Sequence, residues 1–220
     1  MAPKIHQVSS ERIRDEISRI LTEGQAARGM RMLEESGLRA EILPELELTG
    51  HLERCLQFLA AGAKSDFAVG VFLHETLLPH VRQIVERLKF SRAELHHIIA
   101  LVENLPAFKR IREMSVSALK RFFRLARFED HLELARIHAV AAGEDLSDYE
   151  YAYRKRREWN EDDVAPAPLI SGEDLIALGF NPGPKFREIL TSVEDEQLEG
   201  RLRNRDQAIE FVQRGYGGNK

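Results

Sequence analysis

Residues 169–190 carry the pattern on which the fold prediction rests, and they read LISGEDLIALGFNPGPKFREIL. Ser171 is a good N-cap, and the two acidic residues in the turn that follows suit the positive end of a helix dipole. Gly179 is placed to end that helix in a left-handed conformation. Residues 181–183 form a turn, and Pro184 suits the first position of a second helix because it has no N–H to leave unbonded. The stretch therefore predicts two short helices joined by a tight hairpin.

The apolar residues of this hairpin are expected to pack its two helices against each other. They are Leu175, Ile176, Leu178, Phe186, Ile189 and Leu190. The first N–H groups of the second helix have no acceptor within the helix, and Lys185 and Arg187 lie beside them, so the turn is a candidate phosphate-binding site. The same residues fit a capped helical hairpin that binds no ligand, and the physical pattern alone favours that simpler interpretation.

The composition is that of a charge-rich globular protein. Of the 220 residues, 43% are hydrophobic and 31% are charged, and the net charge is −4. A chain of this length can bury one sizeable core or two modest ones. The single cysteine, Cys55, excludes an internal disulfide and is typical of a reducing compartment. Since neither a signal-peptide pattern nor a long apolar run occurs, we expect a cytoplasmic protein without a membrane partner.

Helical periodicity extends over most of the remaining chain and predicts an all-α fold. Ile13 and Ile17 recur at helical spacing near the N-terminus, and comparable apolar stripes continue through residues 51–105. Ser91, followed three residues later by Glu94, matches the pattern of a capping box at the start of a helix. We therefore expect many short helices and no sheet.

Basic side chains are concentrated between residues 107 and 142, although the whole chain is acidic. The seven cations are Lys109, Arg110, Arg112, Lys120, Arg121, Arg124 and Arg127. A helix capped by Ser115 would place the last four on one face, which suits phosphate contacts along an RNA backbone. A solvated face with intrahelical ion pairs explains the pattern equally well. If the stripe contacts RNA, replacing Lys120, Arg121 and Arg124 with alanine should weaken RNA binding without unfolding the protein.

A second basic segment combines cations with aromatic rings. The aromatic residues are Tyr149, Tyr151, Tyr153 and Trp159, and the cations among them are Arg154, Lys155, Arg156 and Arg157. Proteins bind single-stranded RNA through this combination of charge and base stacking. The rings would alternatively anchor a helix end and leave its cationic side exposed. Arg201 and Arg203, which follow Gly200, complete the candidate RNA-binding residues.

Three blocks near the C-terminus resemble the tail of the class II tRNA nucleotidyltransferase and poly(A) polymerase family. They are residues 169–175 (LISGEDL), 178–184 (LGFNPGP) and 197–202 (QLEGRL), and residues 10–13 (SERI) are similar to the end of the family's neck. The resemblance implies an elongated all-α neck and body with a small helical tail domain. Its parts would be neck-like helices at 1–48, a helical body at 49–160, a linker at 161–168, a tail at 169–214 and a disordered end at 215–220.

The resemblance also implies that neck, body and tail hold a tRNA while a catalytic head adds nucleotides to its 3′ end. The family's two-metal carboxylate site precedes the neck, and this sequence has no Gly-Ser or Gly-Gly turn followed by an Asp-x-Asp pair. We therefore expect an RNA-binding chain with no catalytic residue or cofactor of its own. A head, either in a longer protein or supplied separately, would need Mg²⁺ and nucleoside triphosphates.

Residues 72–75 (FLHE) resemble part of a His-Asp metal-dependent phosphohydrolase module found in many bacterial relatives. Glu75 replaces the module's aspartate, and a later histidine of the module is absent. Four histidines remain able to converge in space: His74, His80, His96 and His97. The departures favour a vestigial module without a metal site. His131 and His138, two turns apart, are expected to be ordinary surface or core histidines.

Two alternatives to RNA binding remain open from the sequence. One is a residual phosphohydrolase built on His74, Glu75 and His80, and the other is a helical adaptor with no affinity for RNA. Bound metal would distinguish the first, and salt-dependent RNA binding would argue against the second.

Overall fold

The protein is all-α, as its sequence predicts. The computed structural model describes residues 2–217, and no β-strand occurs within that range. The α-helices are α1 (Ser10–Thr22), α2 (Ala26–Glu35), α3 (Leu38–Ile42), α4 (Gly50–Gln57), α5 (Ser65–Leu73), α6 (Leu78–Arg87), α7 (Arg92–Asn104), α8 (Val116–Phe122), α9 (Phe128–Ala142), α10 (Ser147–Glu158), α11 (Glu161–Val164), α12 (Gly172–Ala177), α13 (Pro184–Leu198) and α14 (Arg205–Tyr216). The 3₁₀ helices Ala2–Gln7 and Leu105–Glu113 precede α1 and follow α7.

The chain divides into two compact units, each built from two segments. The first unit comprises Met1–Lys109 and Glu129–Glu150, and the second comprises Arg110–Phe128 and Tyr151–Lys220. The predicted boundaries run consecutively along the chain, whereas these units interleave. Long-range packing of α8 against α13 is the reason that residues 110–128 belong with the C-terminal part.

Helix α5 lies at the centre of the first unit. All residues from Phe67 to Leu73 are buried, so the helix is apolar on every side, as expected for a helix enclosed by others. It packs mainly against α7 and α1. Gly70 permits the close approach to α7, because a β-carbon at this position would lie 2.6 Å from Cδ1 of Leu101.

The predicted helix caps are confirmed. The hydroxyl of Ser91 accepts a hydrogen bond from the N–H of Glu94 at 3.3 Å, and the Glu94 carboxylate accepts one from the N–H of Ser91 at 2.8 Å. These reciprocal bonds form the capping box at the start of α7. Ser115 caps α8 by accepting from the N–H of Ala118 at 3.1 Å.

The predicted helical hairpin is confirmed in the second unit. Gly179 adopts a left-handed conformation with φ of 85°, and the N–H of Phe180 donates to the carbonyl of Leu175 at 3.0 Å, which closes the end of α12. Pro184 is the first residue of α13. The buried core around the hairpin consists of Ile170, Leu175, Phe180, Ile189, Val193, Leu202, Ala208 and Val212.

Three details of this region differ from the sequence expectation. Ile176 is 54% exposed although Leu175 is fully buried, because neighbouring helical residues point about 100° apart and the short α12 turns only one side to the core. The segment expected to be a linker, 161–168, contains the single turn α11, capped by Asn160. The last helix, α14, continues through Tyr216, and residues 218–220 of the predicted disordered end lie outside the described residues.

Candidate nucleic-acid interface

Helix α8 ends at Phe122, so only Lys120 and Arg121 of the four cations expected on its face belong to it. Arg121 and the following Arg124 face an acidic pair on α13. Arg121 donates to the carboxylate of Asp195 at 2.6 Å and to that of Glu194 at 2.5 Å. Arg124 donates to the other oxygen of Glu194 at 2.6 Å and, through Nε, to the carbonyl of Val164 at 2.7 Å. Burial opposes ionisation of Glu194, but the hydrogen bonds from Arg124 and Arg121 outweigh it, so the pKa of Glu194 is lowered.

Lys120 completes this set of contacts within the second unit. Its ammonium group donates to the carbonyl of Leu198 at 2.9 Å and lies 5.2 Å from the centre of the Trp159 ring. The side chains of Arg121 and Arg124 are only 32% and 30% exposed. These three cations therefore hold α8 against α13, and the acidic partners of Arg121 and Arg124 are supplied by α13 and not by α8 itself.

Five residues form what we term the basic-aromatic patch: Arg112, Tyr151, Tyr153, Arg154 and Arg157. The guanidinium groups of Arg112 and Arg154 lie 5.9 and 6.0 Å from the centre of the Tyr151 ring. That of Arg157 lies 5.3 Å from the Tyr153 ring and donates to its hydroxyl. Tyr153 is 40% exposed and the Arg154 side chain 64%. The patch thus presents both charge and ring faces to solvent.

The other two cations of α10 are more enclosed. Lys155 is 30% exposed, pairs with Glu158 at 2.7 Å and lies 5.7 Å from the Trp159 ring. Nε of Arg156 is buried and has no hydrogen-bond partner among the described residues. Within this segment the structure accordingly separates exposed arginines from those that pack inward, a distinction that a run of four consecutive cations does not reveal.

The predicted cations ahead of α8 differ in their surroundings. Lys109, in the first unit, is 62% exposed and lies 3.5 Å from a carboxylate oxygen of Glu144. Arg110, in the second unit, is 79% exposed and pairs with Glu113 at 2.9 Å. Arg127 follows α8, is half-buried and has a left-handed backbone with φ of 56°. The exposed pairs that Lys109 and Arg110 form contribute little to stability and leave both cations accessible to other anions.

The cations of the tail lie around the start and end of α13. Lys185 is half-buried, with its ammonium group 5.8 Å from the Phe180 ring. Arg187 is exposed and lines a cleft of about 660 Å³ whose walls are mainly apolar. Arg201 hydrogen-bonds Glu196 and so lowers the pKa of that carboxyl. Arg203 donates to the carbonyl of Gly200 at 3.3 Å.

Three histidines meet in the first unit, and sequence reasoning did not bring them together. His51, His74 and His138 each direct one ring nitrogen to a common point, with all three atoms within 4.8 Å of one another. Burial, followed by repulsion from His74 and His51, lowers the pKa of His138 to about 4. Burial also lowers the pKa of His74. Among the described residues the group does not include His80, His96 or His97.

The remaining predicted histidines lie elsewhere in the first unit. His97 is buried and its Nε2 lies 3.1 Å from the carboxylate of Asp130. His131 is buried beside it, with the two ring centres 6.0 Å apart. The residual phosphohydrolase expected from the sequence would use His74, Glu75 and His80. In the structure His74 instead meets His51 and His138, and His80 is not in this group.

Two known protein families match the sequence of this chain. Residues 66–212, more than half of the chain, match the family described as "tRNA nucleotidyltransferase domain 2 putative". Residues 1–49 match the family described as "Probable RNA and SrmB- binding site of polymerase A". The chain belongs to the tRNA nucleotidyltransferase family, as its tail blocks predict.

Individual relatives agree with this family. An A-adding tRNA nucleotidyltransferase of Deinococcus radiodurans is 29% identical over 93% of the chain, and a CC-adding enzyme of Thermus thermophilus is 28% identical over 96%. The chain spans 58% of the length of each. The fold is similar to that of a Thermotoga maritima CCA-adding enzyme solved with tRNA, with a TM-score of 0.57 at 16% identity over 96% of this chain and 52% of that one. No helix among the described residues is long and apolar enough to cross a membrane.

Proposed function

We propose that this chain is the tRNA-binding portion of a tRNA nucleotidyltransferase and that it positions the tRNA so that its 3′ end reaches a nucleotidyl-transfer site. Matches to the nucleotidyltransferase second domain and to an RNA-binding region support the assignment. The function requires no catalytic residue in the described part of the chain. We expect the protein to perform this function in the cytoplasm, where tRNA is available.

On the protein surface, the basic-aromatic patch is the main observation that supports RNA binding. Arginine side chains contact phosphates, and exposed tyrosine rings stack on unpaired bases. In this patch both groups lie close together, with Tyr153 and Arg154 accessible. The cations on and just after α8 are a weaker candidate, because Lys120, Arg121 and Arg124 already bind carbonyl and carboxylate oxygens of their own unit.

Catalysis by this system requires a head that holds Mg²⁺ and a nucleoside triphosphate, because transfer of a nucleotide is commonly organised by two metal ions held on carboxylates. In our proposal the head belongs to a longer form of the protein or to a separate partner chain. Adding such a head to the described chain should then produce nucleotide addition that neither part shows alone. Which nucleotides are added depends on the head.

The test is a titration of the protein with tRNA and with a random single-stranded RNA of equal length, each at two salt concentrations. The informative variant replaces Arg112, Arg154 and Arg157 with alanine. A matched control replaces Arg82, Arg92 and Arg214, three exposed arginines outside the patch, and so removes the same charge elsewhere. We expect the unmodified protein to prefer tRNA. In the patch variant alone, the salt dependence of binding should decrease by about one unit of slope for each phosphate that is no longer neutralised.

Two outcomes would contradict the proposal in different ways. Equal weakening by the patch and control variants would mean that net charge, and not the patch, governs binding. No binding of either RNA by the unmodified protein would favour the adaptor interpretation. For the phosphohydrolase alternative, the group of histidines around His74 consists of His51 and His138 among the described residues and does not include His80.

A further inference from the structure

The cleft beside α13 is a surface feature that the basic-aromatic patch does not use. It has a volume of about 660 Å³ and lies within the second unit, between α13 and the segment that precedes α12. Its apolar walls include Pro166, Pro168, Leu169, Phe186, Leu190 and Val193. Apolar surface of this extent that remains open to water commonly marks a binding site.

Arg187 supplies the positive charge of this cleft, and that charge is not compensated. Glu194 is the carboxylate in the lining, and it is already held by Arg121 and Arg124. None of the residues three or four positions from Arg187 in α13 is acidic, and the adjacent Glu188 points about 100° away around the helix. No ion pair of Arg187 occurs among the described residues. The complement of the cleft is therefore an apolar group next to a carboxylate.

Helix α12 of the same unit presents such a group. Ile176 is 54% exposed, and the exposed Glu173 stands three residues before it, so both side chains lie on one face of the helix. No cation occurs three or four positions from Glu173 in the sequence. Within the part of the chain that the structure describes, Glu173 has no ion pair. This face of α12 thus carries an apolar projection beside an uncompensated negative charge.

The projection and the cleft adjoin each other on the surface. Ser171, the N-cap of α12, lines the cleft, and a β-carbon at Gly172 would lie 3.7 Å from Cδ2 of Phe186, another lining residue. At the rise of an α-helix, Ile176 lies about 8 Å along the axis from Ser171. Neighbouring complementary features are what a two-fold symmetric interface requires, because each copy inserts its projection into the depression of the other.

We propose that two copies of this chain associate through this surface about a two-fold axis. Ile176 of each copy enters the cleft of the other, and Glu173 of each pairs with the partner's Arg187. A second copy is favoured over an unrelated protein because the apolar group and the charge that complement the cleft are both present on this chain. Arg187 is covered in the dimer, so it acts in self-association and not in RNA binding.

The first experiment is sedimentation equilibrium of the full chain without RNA, over two decades of protein concentration. We expect the mean mass to rise with concentration from that of one chain toward that of two. Ile176→Asp should keep the mass of one chain throughout. Leu77→Asp, which places the same charge at a 70% exposed apolar residue of the first unit, should associate as the unmodified protein does. Circular dichroism of each variant establishes that the helices remain.

Charge reversal tests the pairing and its symmetry. Glu173→Arg and Arg187→Glu should each weaken dimerisation about tenfold or more, because like charges then face each other. Glu210→Arg, at a 70% exposed residue outside the interface, is the control and should have no effect. In a mixed dimer of the two reversed variants every contact joins opposite charges, because the two substituted positions meet each other and the two unmodified residues meet each other. An equimolar mixture should therefore dimerise although neither variant does so alone.

Three outcomes would overturn the proposal. One is an unmodified protein with the mass of a single chain at every concentration. The second is a mixture of the reversed variants that remains monomeric, or equal losses in Ile176→Asp and Leu77→Asp, since either result would place the dimer contact elsewhere. The third is a monomeric protein in which Arg187→Glu weakens tRNA binding, which would assign the cleft to RNA. A dimer without affinity for tRNA would contradict the proposed function and leave this interface intact.

Discussion

Glu194 receives hydrogen bonds from Arg121 and Arg124, and these keep its carboxyl ionised. The pKa of Glu194 lies below its ordinary value of 4.5 because the two guanidinium groups outweigh the effect of burial. A carboxyl whose pKa is lower in the folded than in the unfolded state contributes stability above the unfolded pKa, and this contribution disappears as the pH falls through the folded pKa.

Glu194→Gln should therefore lower the free energy of unfolding at pH 7 by about 1 kcal/mol, a value discounted for the partial exposure of the site. The difference from the unmodified protein should stay constant above about pH 5 and shrink below about pH 4.5. Urea denaturation across this range measures it. Glu210→Gln serves as the control, because Glu210 is 70% exposed in its pair with Arg214 and should change stability little. A difference that grows in acid would contradict the assignment.

Gly70 tests the packing at the centre of the first unit. A methyl group there would lie 2.6 Å from Cδ1 of the buried Leu101, so Gly70→Ala should destabilise the protein by about 1–3 kcal/mol through overpacking. Gly50→Ala is the control in the same unit, since its β-carbon would meet only Nη1 of Arg54 at 3.7 Å. Equal midpoints of urea denaturation in both variants would mean that α5 and α7 can move apart without a loss of stability, which would contradict the prediction.

At the level of helices, the sequence correctly predicts the features that depend on residues close together along the chain, such as helix caps and helix ends. The capping box of Ser91 and Glu94 and the glycine end of α12 depend on residues within one or two turns, and both are confirmed. The contacts of Arg121 are of another kind, because its partners Glu194 and Asp195 lie more than 70 residues further on. The histidine cluster also depends on tertiary packing, so no local pattern indicates it.

The interaction between α8 and α13 changes the expected behaviour of the triple variant Lys120→Ala, Arg121→Ala and Arg124→Ala. From sequence it should lose RNA binding without unfolding. In the structure these cations bind Leu198, Glu194, Asp195 and Val164. We therefore expect the free energy of unfolding to fall by about 2–4 kcal/mol, a value discounted for partial exposure, because partly buried carbonyl and carboxylate oxygens lose their partners. Thermal denaturation measures the effect, and the patch variant lacking Arg112, Arg154 and Arg157 should keep its stability. A triple variant as stable as the patch variant would contradict the role of these contacts.

At the scale of the whole molecule, each of the two compact units combines segments that are distant from each other in sequence. The tail has a buried core of its own within residues 170–212, but a segment of that length rarely folds without further support. The support comes from residues 110–128, where α8 packs on α13 and Phe123 lies 5.8 Å from Trp159. A boundary drawn between body and tail would remove this segment.

We therefore predict that a polypeptide of residues 151–217 melts without cooperativity, whereas the same polypeptide joined by a flexible linker to residues 110–128 melts cooperatively. Without that segment, Glu194 and Asp195 lose their arginine partners and the face of α13 that contacts α8 becomes exposed. Far-UV circular dichroism during heating measures the transition. A matched fusion in which Lys120, Arg121 and Arg124 are alanine keeps the apolar contacts and lacks the ionic ones, so it should still melt cooperatively but at a lower temperature than the unmodified fusion. Cooperative melting of residues 151–217 alone, at the temperature of the fusion, would mean that the tail is an independent domain and that α8 only rests on it.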